Sequence, residues 1–164
     1  MPKNRVSQAL NDAFYFVTPT IQNWYYIFDR HERWQIIADS IKFCQKNKGL
    51  EVYAYVFMLN HLHLIIKSPD VSGFLCDFKK FTSRKLIENI SETEPKVLEL
   101  FKTESGYRFW KEDNQPKIIE SEKFAIQKKN YVHNNPVVKG YVARSEYWRW
   151  SSANPDSEIE VLNF

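Results

Sequence analysis

The sequence predicts an α+β fold in which helices pack on a single antiparallel β-sheet. Apolar residues alternate with a period of two in some segments and recur at helical spacing in others. The predicted elements follow one another as strand, helix, strand, strand, helix, strand and helix. The first six match the β-α-β-β-α-β order of ferredoxin-like folds.

The predicted strands are short runs rich in aromatic and β-branched residues, and they cover residues 11–20, 50–58, 61–67 and 107–111. In the second strand the alternation predicts two faces, one with Val52, Ala54 and Val56, the other with Tyr53, Tyr55 and Phe57. Asn60 marks a turn, so the second and third strands form a hairpin. The connection at residues 21–28 is aromatic and predicts no particular structure.

Three segments have helical periodicity, at residues 29–47, 71–90 and 120–134. The third is expected to end before Pro136, because a residue that precedes proline is disfavoured in the α-helical region. Residues 91–106 are charged and weakly patterned, which indicates a loop with at most a short helix.

The length of 164 residues and a hydrophobic content of 43% fit one domain over residues 1–164. Residues 137–164 are an aromatic C-terminal tail that is expected to pack on the body. The net charge of +3 is compatible with nucleic acid and equally with an ordinary soluble protein. Cys44 and Cys76 show no metal-binding spacing. We expect a cytoplasmic protein with no membrane partner, because no apolar run approaches the ~20 residues of a membrane span.

His61 and His63 flank one leucine at the start of the third strand. Alternate residues of a strand project to the same face, so both imidazoles are expected to point together. Two imidazoles on one face make half of a metal site. Such a pair also occurs by chance on sheet surfaces.

Tyr131 and Asn135 lie one helical turn apart and are expected to share a face. The amide is a candidate third metal ligand, and the phenol is a candidate nucleophile toward a phosphate. The structural alternative is that Tyr131 packs on the core while Asn134 or Asn135 caps the helix. His133 is either an accessory proton carrier or DNA contact, or a polar surface residue.

The second predicted helix has a basic side that could contact DNA phosphates, or that could simply be solvated. Its candidate residues are Lys79, Lys80, Arg84 and Lys85. Trp148 and Trp150 could stack on bases, or they could dock the tail on the body.

Several stretches, in this order, resemble the REP-associated tyrosine transposases, a branch of the HUH single-strand DNA transposases that carry the IS200-like transposase domain. They are YVFMLNHLHLII (Tyr55 to Ile66), DFKKFTSRKLIE (Asp77 to Glu88), FWKEDNQPKII (Phe109 to Ile119) and NYVHNNPVVKGYV (Asn130 to Val142), with weaker matches at VTPTIQNW and EYWRWSSA. The resemblance covers residues 14–153. Two departures are Leu59, where many relatives have proline, and Asn135, where a longer Gln is frequent.

The resemblance implies an HUH nuclease fold and a metal-dependent transposase that cuts and rejoins single-stranded DNA at hairpin-forming repeats. It implies His61, His63 and Asn135 as ligands of Mg²⁺ or Mn²⁺, and Tyr131 as the nucleophile that forms a 5′-phosphotyrosine. Because some members of the branch act alone, a monomer is favoured over a homodimer.

Three other functions remain open at the level of sequence. The chain could be a catalytically silent, host-adopted DNA-binding protein of the same fold. It could be an RNA-binding module similar to RRM domains, which place exposed aromatic residues on central strands, as Tyr53, Tyr55 and Phe57 could be. It could also be a metallohydrolase that uses water.

Overall fold

The computed structural model describes residues 13–113 and 115–164. The strands are β1 (Phe14–Val17), β2 (Glu51–Phe57), β3 (Leu62–Lys67), β4 (Lys102–Thr103), β5 (Gly106–Tyr107) and β6 (Lys117–Ile119). The helices are α1 (Arg33–Asn47), α2 (Val71–Thr93), α3 (Pro95–Leu98) and α4 (Glu122–Val138). Short 3₁₀ turns occur at Gln22–Trp24, Glu99–Phe101 and Ser145–Tyr147.

Four strands form one antiparallel sheet in the order β2-β3-β1-β6. The pairing of Val56 with His63 sets the register between β2 and β3, and the pairing of Phe16 with Ile65 sets it between β1 and β3. β4 and β5 make a separate two-stranded hairpin. The predicted α+β class and the β-α-β-β-α-β order are confirmed.

Each face of the sheet carries its own helical layer. The larger core cluster joins α1 and α2 to one face, where β3 contributes Leu62, Leu64 and Ile66. The smaller cluster joins α4 to the other face through Ile65 of β3 and Val132 of the helix. β3 is therefore buried on both sides, and its odd-numbered residues face α4.

The fourth strand of the sheet is not the predicted one. Residues 109–111 form a single bridge, between Ile21 and Trp110, and Phe109 and Trp110 are buried in the core beside α2. The strand that pairs with β1 is instead β6. It has only three residues and little periodicity of its own, so pairing with β1 determines its conformation.

The helix boundaries also differ from the prediction. α1 begins at Arg33, four residues later than expected, because His31 and Glu32 have φ of 56° and 58° and stand outside the right-handed helical region. α2 runs on to Thr93, three residues beyond the predicted end, and α3 is the short helix that the sequence allowed within residues 91–106.

A β-bulge changes the faces of β2. The register with β3 shifts between Val52 and Ala54, so Tyr53 lies in the α4 cluster with Ala54, whereas Val52 lies with Tyr55 and Phe57 on the other face. The predicted alternation is therefore wrong for Val52 and Tyr53, at the start of β2. Tyr55 and Phe57 are fully buried, and Tyr53 is 7% exposed, so none of the three can serve as an exposed RNA-stacking residue.

Pro136 lies inside α4, so the prediction that this helix ends before Pro136 is wrong. Proline has no N–H to bond the carbonyl of Val132, yet the helix continues to Val138, and the N–H of Lys139 bonds the carbonyl of Asn135. Val132 and Pro136 are both buried against the sheet. This packing keeps Asn135 in the helix. Without it, the preference of a residue before proline for extended backbone would place Asn135 outside the helix.

The C-terminal tail covers the edge of β2. The N–H of Phe57 bonds the carbonyl of Trp150, the N–H of Ser152 bonds that of Tyr55, and the N–H of Leu162 bonds that of Val52. An unpaired strand edge is a site for unwanted pairing with another chain, so this tail protects the sheet. In the ranges that the structure describes, no helix has the length and apolar character needed to cross a membrane.

Arg33 joins the start of α1 to the end of α2. Its guanidinium is completely buried and donates to the carbonyl of Ile27 and to side-chain oxygens of Asn89, Thr93 and Glu94. Arg30 binds the same Glu94 carboxylate at 2.7 Å, but from a side chain that is 36% exposed. The two arginines thus share an acceptor and differ in burial.

We predict that Arg33→Ala lowers the free energy of unfolding by about 3 kcal/mol, because it removes a fully buried guanidinium and leaves the buried carbonyl of Ile27 and the partly buried carboxylate of Glu94 without this donor. Arg30→Ala is the matched control and should cost less than about 1 kcal/mol, as is usual for an exposed ion pair. Urea unfolding followed by circular dichroism measures both. Equal losses would contradict the structural role assigned to Arg33.

Candidate active site

His61 and His63 project together on the α4 side of the sheet, as the strand period predicts. Their ring centroids are 4.7 Å apart. His63 is 6% exposed and stacks on Phe16 of β1, with 5.4 Å between the ring centroids. The bridge between His61 and Thr20 holds the start of β3 against the segment after β1.

Both imidazoles are held through Nδ1. Asn60 donates from Nδ2 to the carbonyl of Trp24, which fixes its amide so that Oδ1 accepts from Nδ1–H of His61 at 2.7 Å. Nε2 of neutral His61 then carries the lone pair. Nδ1 of His63 lies 3.0 Å from the hydroxyl of Thr18. Such partners orient metal-binding histidines through the ring nitrogen that does not bind the metal.

The surroundings keep both histidines neutral. Burial lowers the pKa of His61 to about 4, with a further contribution from the charge of Lys139. Burial also lowers the pKa of His63 to about 3, helped by His61, Lys128 and Lys139. Near neutral pH both rings therefore have a lone pair to donate.

Tyr131 lies on α4 directly above this pair. Its ring makes edge contacts with His63 at 5.3 Å and with Phe16 at 6.1 Å, measured between centroids. The residue is 49% exposed, so its phenol is accessible from solvent. Tyr131 is thus packed on the sheet on one side and open on the other, and the helix is capped by Lys139 and not by Asn134 or Asn135.

Asn135 follows on the same face of α4 and is buried. Its amide Nδ2 is 3.5 Å from Nε2 of His63, and within the described residues its Oδ1 has no hydrogen-bond partner. A half-turn of the amide exchanges the two atoms, so Oδ1 can equally face His63. A buried amide oxygen without a donor is costly, and a cation beside His63 would satisfy it.

The structure adds residues that the sequence did not single out. A cleft of about 510 Å³ is lined by Phe16, Thr18, His63, Asp113, Gln115, Lys117, Lys128 and Tyr131. The ammonium of Lys128 lies 5.3 Å from the centroid of the Tyr131 ring and 4.6 Å from that of Phe16. Lys128 is three residues before Tyr131, so helical spacing could have identified it. No spacing or motif in the sequence identifies Thr18, Asn60 or Lys117 as residues of the site.

The basic residues predicted on α2 lie in the opposite layer. Lys80 and Arg84 line a larger cleft of about 700 Å³ together with Arg108. Lys79 donates to the carbonyl of Lys111, and burial lowers its pKa. Lys85 pairs with Glu88 at 3.7 Å. The four residues therefore belong to the layer opposite Tyr131, and Lys79 and Lys85 already have polar partners.

The tail residues dock on the body. Trp148 donates from Nε1 to the carbonyl of Phe57, and Trp150 stacks on the ring of Phe57. Nε2 of His133 is 2.7 Å from the hydroxyl of Ser152, and burial lowers its pKa to about 4. These contacts favour the docking alternative for both tryptophans and a structural role for His133.

Comparison with known proteins agrees with this geometry. The family model for IS200-like transposases matches residues 15–135, a range that includes both histidines and extends to Asn135. The chain belongs to this family of transposases.

A solved structure of a REP-associated tyrosine transposase bound to a REP hairpin is similar to the chain. The TM-score is 0.71 at 18% identity, and the match covers 100% of this chain and 95% of that one. At this identity the likeness establishes the shared fold. No curated protein sequence gives a significant match.

We predict that the metal-free protein loses stability as the pH falls from 6.5 toward 4. The folded-state pKa values of His61 and His63, about 4 and 3, lie below the ordinary value of 6.5. Within this window the unfolded chain binds protons that the folded chain does not, so the free energy of unfolding decreases with decreasing pH. Thermal unfolding in EDTA across this range measures the effect.

The variants His61→Asn and His63→Asn serve as controls. Each should make the dependence on pH less steep, while the other histidine and His133, whose pKa is also about 4, account for the slope that remains. A decline of the same steepness in both variants would contradict the assignment to these two rings.

Proposed function

We propose that this transposase cuts and rejoins single-stranded DNA with Tyr131 as the nucleophile. The observation that carries the proposal is the contact of the half-exposed Tyr131 ring with His63, beside the unsatisfied oxygen of Asn135. A phenol, a second neutral imidazole and an amide thus each lie next to His63, which lines the same cleft as Tyr131. This is the donor set that a metal-assisted attack on a phosphodiester requires.

The proposed reaction begins at Tyr131. Its phenolic oxygen attacks the phosphorus, the bond between phosphorus and the 3′ oxygen breaks, and a 5′-phosphotyrosine forms. The phenolic proton passes to solvent at the open side of the cleft, and the departing 3′ oxygen takes up a proton. The phosphodiester is exchanged for another ester, so attack by a 3′-hydroxyl reverses the step and rejoins DNA without ATP.

The residues on the α4 side of the sheet fit a divalent cation, Mg²⁺ or Mn²⁺. Nε2 of His61, Nε2 of His63 and Oδ1 of Asn135 are the donors that would hold it, and the unpartnered Oδ1 supports that fit. No set of three His, Cys, Asp or Glu side chains converges in the described part of the chain, and the amide of Asn135 is the third protein ligand that we propose. Two imidazole nitrogens suit Mn²⁺ particularly well. When bound, such a cation polarises a non-bridging phosphate oxygen and offsets charge in the transition state.

Lys128 supports the attack electrostatically. Its ammonium lies beside the Tyr131 ring and stabilises the phenolate that develops as the proton leaves. Lys117 lines the same cleft and adds a second positive charge for the phosphate. A strand entering the cleft is thus held by charge before the reaction begins.

The DNA partner that we propose is a single strand with a hairpin. The similar solved structure carries a REP hairpin, and a hairpin would give this chain a duplex to grip while the strand enters the cleft. Lys80 and Arg84, with Lys79 and Lys85 near them on α2, are proposed phosphate contacts on the other side of the molecule. Trp148 and Trp150 contribute to such binding by holding the tail in place.

We propose that a single chain carries out this chemistry. Tyr131 contacts His63 of its own chain, so no exchange of α4 between two copies is needed to complete the site. This supports action as a monomer. The contact between Tyr131 and His63 also disfavours a catalytically silent DNA-binding protein of the same fold, because DNA binding alone does not require these residues to lie together.

We predict that Tyr131→Phe abolishes the covalent protein–DNA adduct. The parent protein, incubated with Mn²⁺ and hairpin-bearing single-stranded oligonucleotides, should give a complex that survives denaturation with SDS. Removal of the phenolic oxygen eliminates the nucleophile, whereas stability should change by less than about 1 kcal/mol because the side chain is half exposed.

Tyr147→Phe is the matched control, an exposed tyrosine that should retain the adduct. An adduct in Tyr131→Phe would refute the nucleophile. Its absence from the parent protein would favour a binding-only function, and cleavage without an adduct would favour attack by water.

We predict that Asn135→Ala weakens Mn²⁺ binding about tenfold, because one ligand is lost. Asn135→Asp should tighten binding, since a carboxylate of the same length replaces a neutral amide. Calorimetric titration measures both affinities. The exposed neighbour Asn134 provides the control Asn134→Ala, which should bind Mn²⁺ like the parent. If Asn135→Ala also binds like the parent, Asn135 is not a ligand.

A further inference from the structure

Trp24 is the most exposed of the five tryptophans, with 60% of its surface accessible, and its backbone is strained. Asn23 and Trp24 have φ of 56° and 54°. Asparagine adopts this left-handed conformation fairly readily, but a bulky residue such as tryptophan rarely does. Such strain persists only where surrounding contacts impose it, and it is concentrated at functional sites.

Asn60 imposes this conformation and links it to the candidate active site. Its Nδ2 donates to the carbonyl of Trp24 at 2.9 Å, while its Oδ1 accepts from His61 at 2.7 Å. One amide therefore fixes both the tryptophan backbone and a proposed metal ligand. The N–H of Trp24 also bonds the carbonyl of Ile21, which completes the tight turn.

The indole ring is connected to the cleft that contains Tyr131 through two neighbouring side chains. The ammonium of Lys111 is 4.0 Å from the centroid of the Trp24 ring and 3.8 Å from a carboxylate oxygen of Asp113. Asp113 in turn lines the cleft beside His63 and Tyr131. An exposed aromatic ring with a cation over one of its faces is thus linked, through an ion pair, to a residue that lines the cleft.

We propose that Trp24 is a base-stacking residue that holds an unpaired nucleobase of the strand entering the cleft, with Lys111 beside it for the adjacent phosphate. The assignment rests on the proposed function, because it presumes that single-stranded DNA occupies the cleft. An exposed indole adds little burial energy to the fold, but it offers a large face to any base regardless of sequence. Trp24 is thus a substrate-positioning residue.

The test compares two 20-mers of equal charge, dT20 and a base-free strand of abasic spacers, by fluorescence anisotropy at fixed salt. Trp24→Ala should weaken binding of dT20 by between about 5-fold and 100-fold, the range expected for one stacked base. It should change binding of the base-free strand less than twofold. Trp24→Phe keeps a smaller ring and should fall between the parent and Trp24→Ala.

Phe43→Ala is the matched control, because Phe43 is an aromatic residue of similar exposure on α1, in the opposite layer. It should bind both strands like the parent. Tryptophan emission should be quenched by dT20 in the parent and less so in Trp24→Phe. Circular dichroism checks that each variant is folded.

Equal loss of affinity for both strands in Trp24→Ala would overturn the stacking role, and so would no loss for either. If the parent forms the Tyr131 adduct in the same preparation, such a result leaves the proposed function intact. If the parent neither binds dT20 nor forms an adduct, both proposals fail.

Discussion

The structure depends on the register of β3 in the centre of the sheet. This strand pairs with β1 on one side and β2 on the other, and both of its faces are buried. Leu62, Leu64 and Ile66 fill the core under α1 and α2, which forces His61 and His63 toward α4. A slip of one residue would turn both imidazoles into that core and its leucines toward the α4 side, so the hydrophobic effect fixes the orientation of the histidines.

Burial that stabilises the fold also sets the chemistry of the site. The packing that orients His61 and His63 lowers their pKa values and leaves them as neutral donors. The packing of Val132 and Pro136 against the sheet keeps α4 intact through the proline, so that Asn135 stays beside His63 and one turn from Tyr131. Stability and proposed function therefore draw on the same contacts.

Much of this arrangement could be predicted from the sequence, because it depends on local periodicity. The period of a strand placed His61 and His63 on one face, and the period of a helix placed Tyr131 and Asn135 on one face. The remaining features depend on tertiary contacts. β6 is a strand because β1 pairs with it, and α4 passes through Pro136 because its neighbours are buried. Asn60 and Thr18 hold the histidines through hydrogen bonds that the spacing of residues along the sequence does not predict.

The central claim is that β3 and α4 together build one metal and tyrosine centre. Crystals of the parent protein soaked in Mn²⁺ and measured for anomalous scattering test it most directly. We expect a single strong peak bonded to Nε2 of His61, Nε2 of His63 and the amide oxygen of Asn135, on the side toward Tyr131. A peak bonded elsewhere, or none at the histidine pair, would contradict the account.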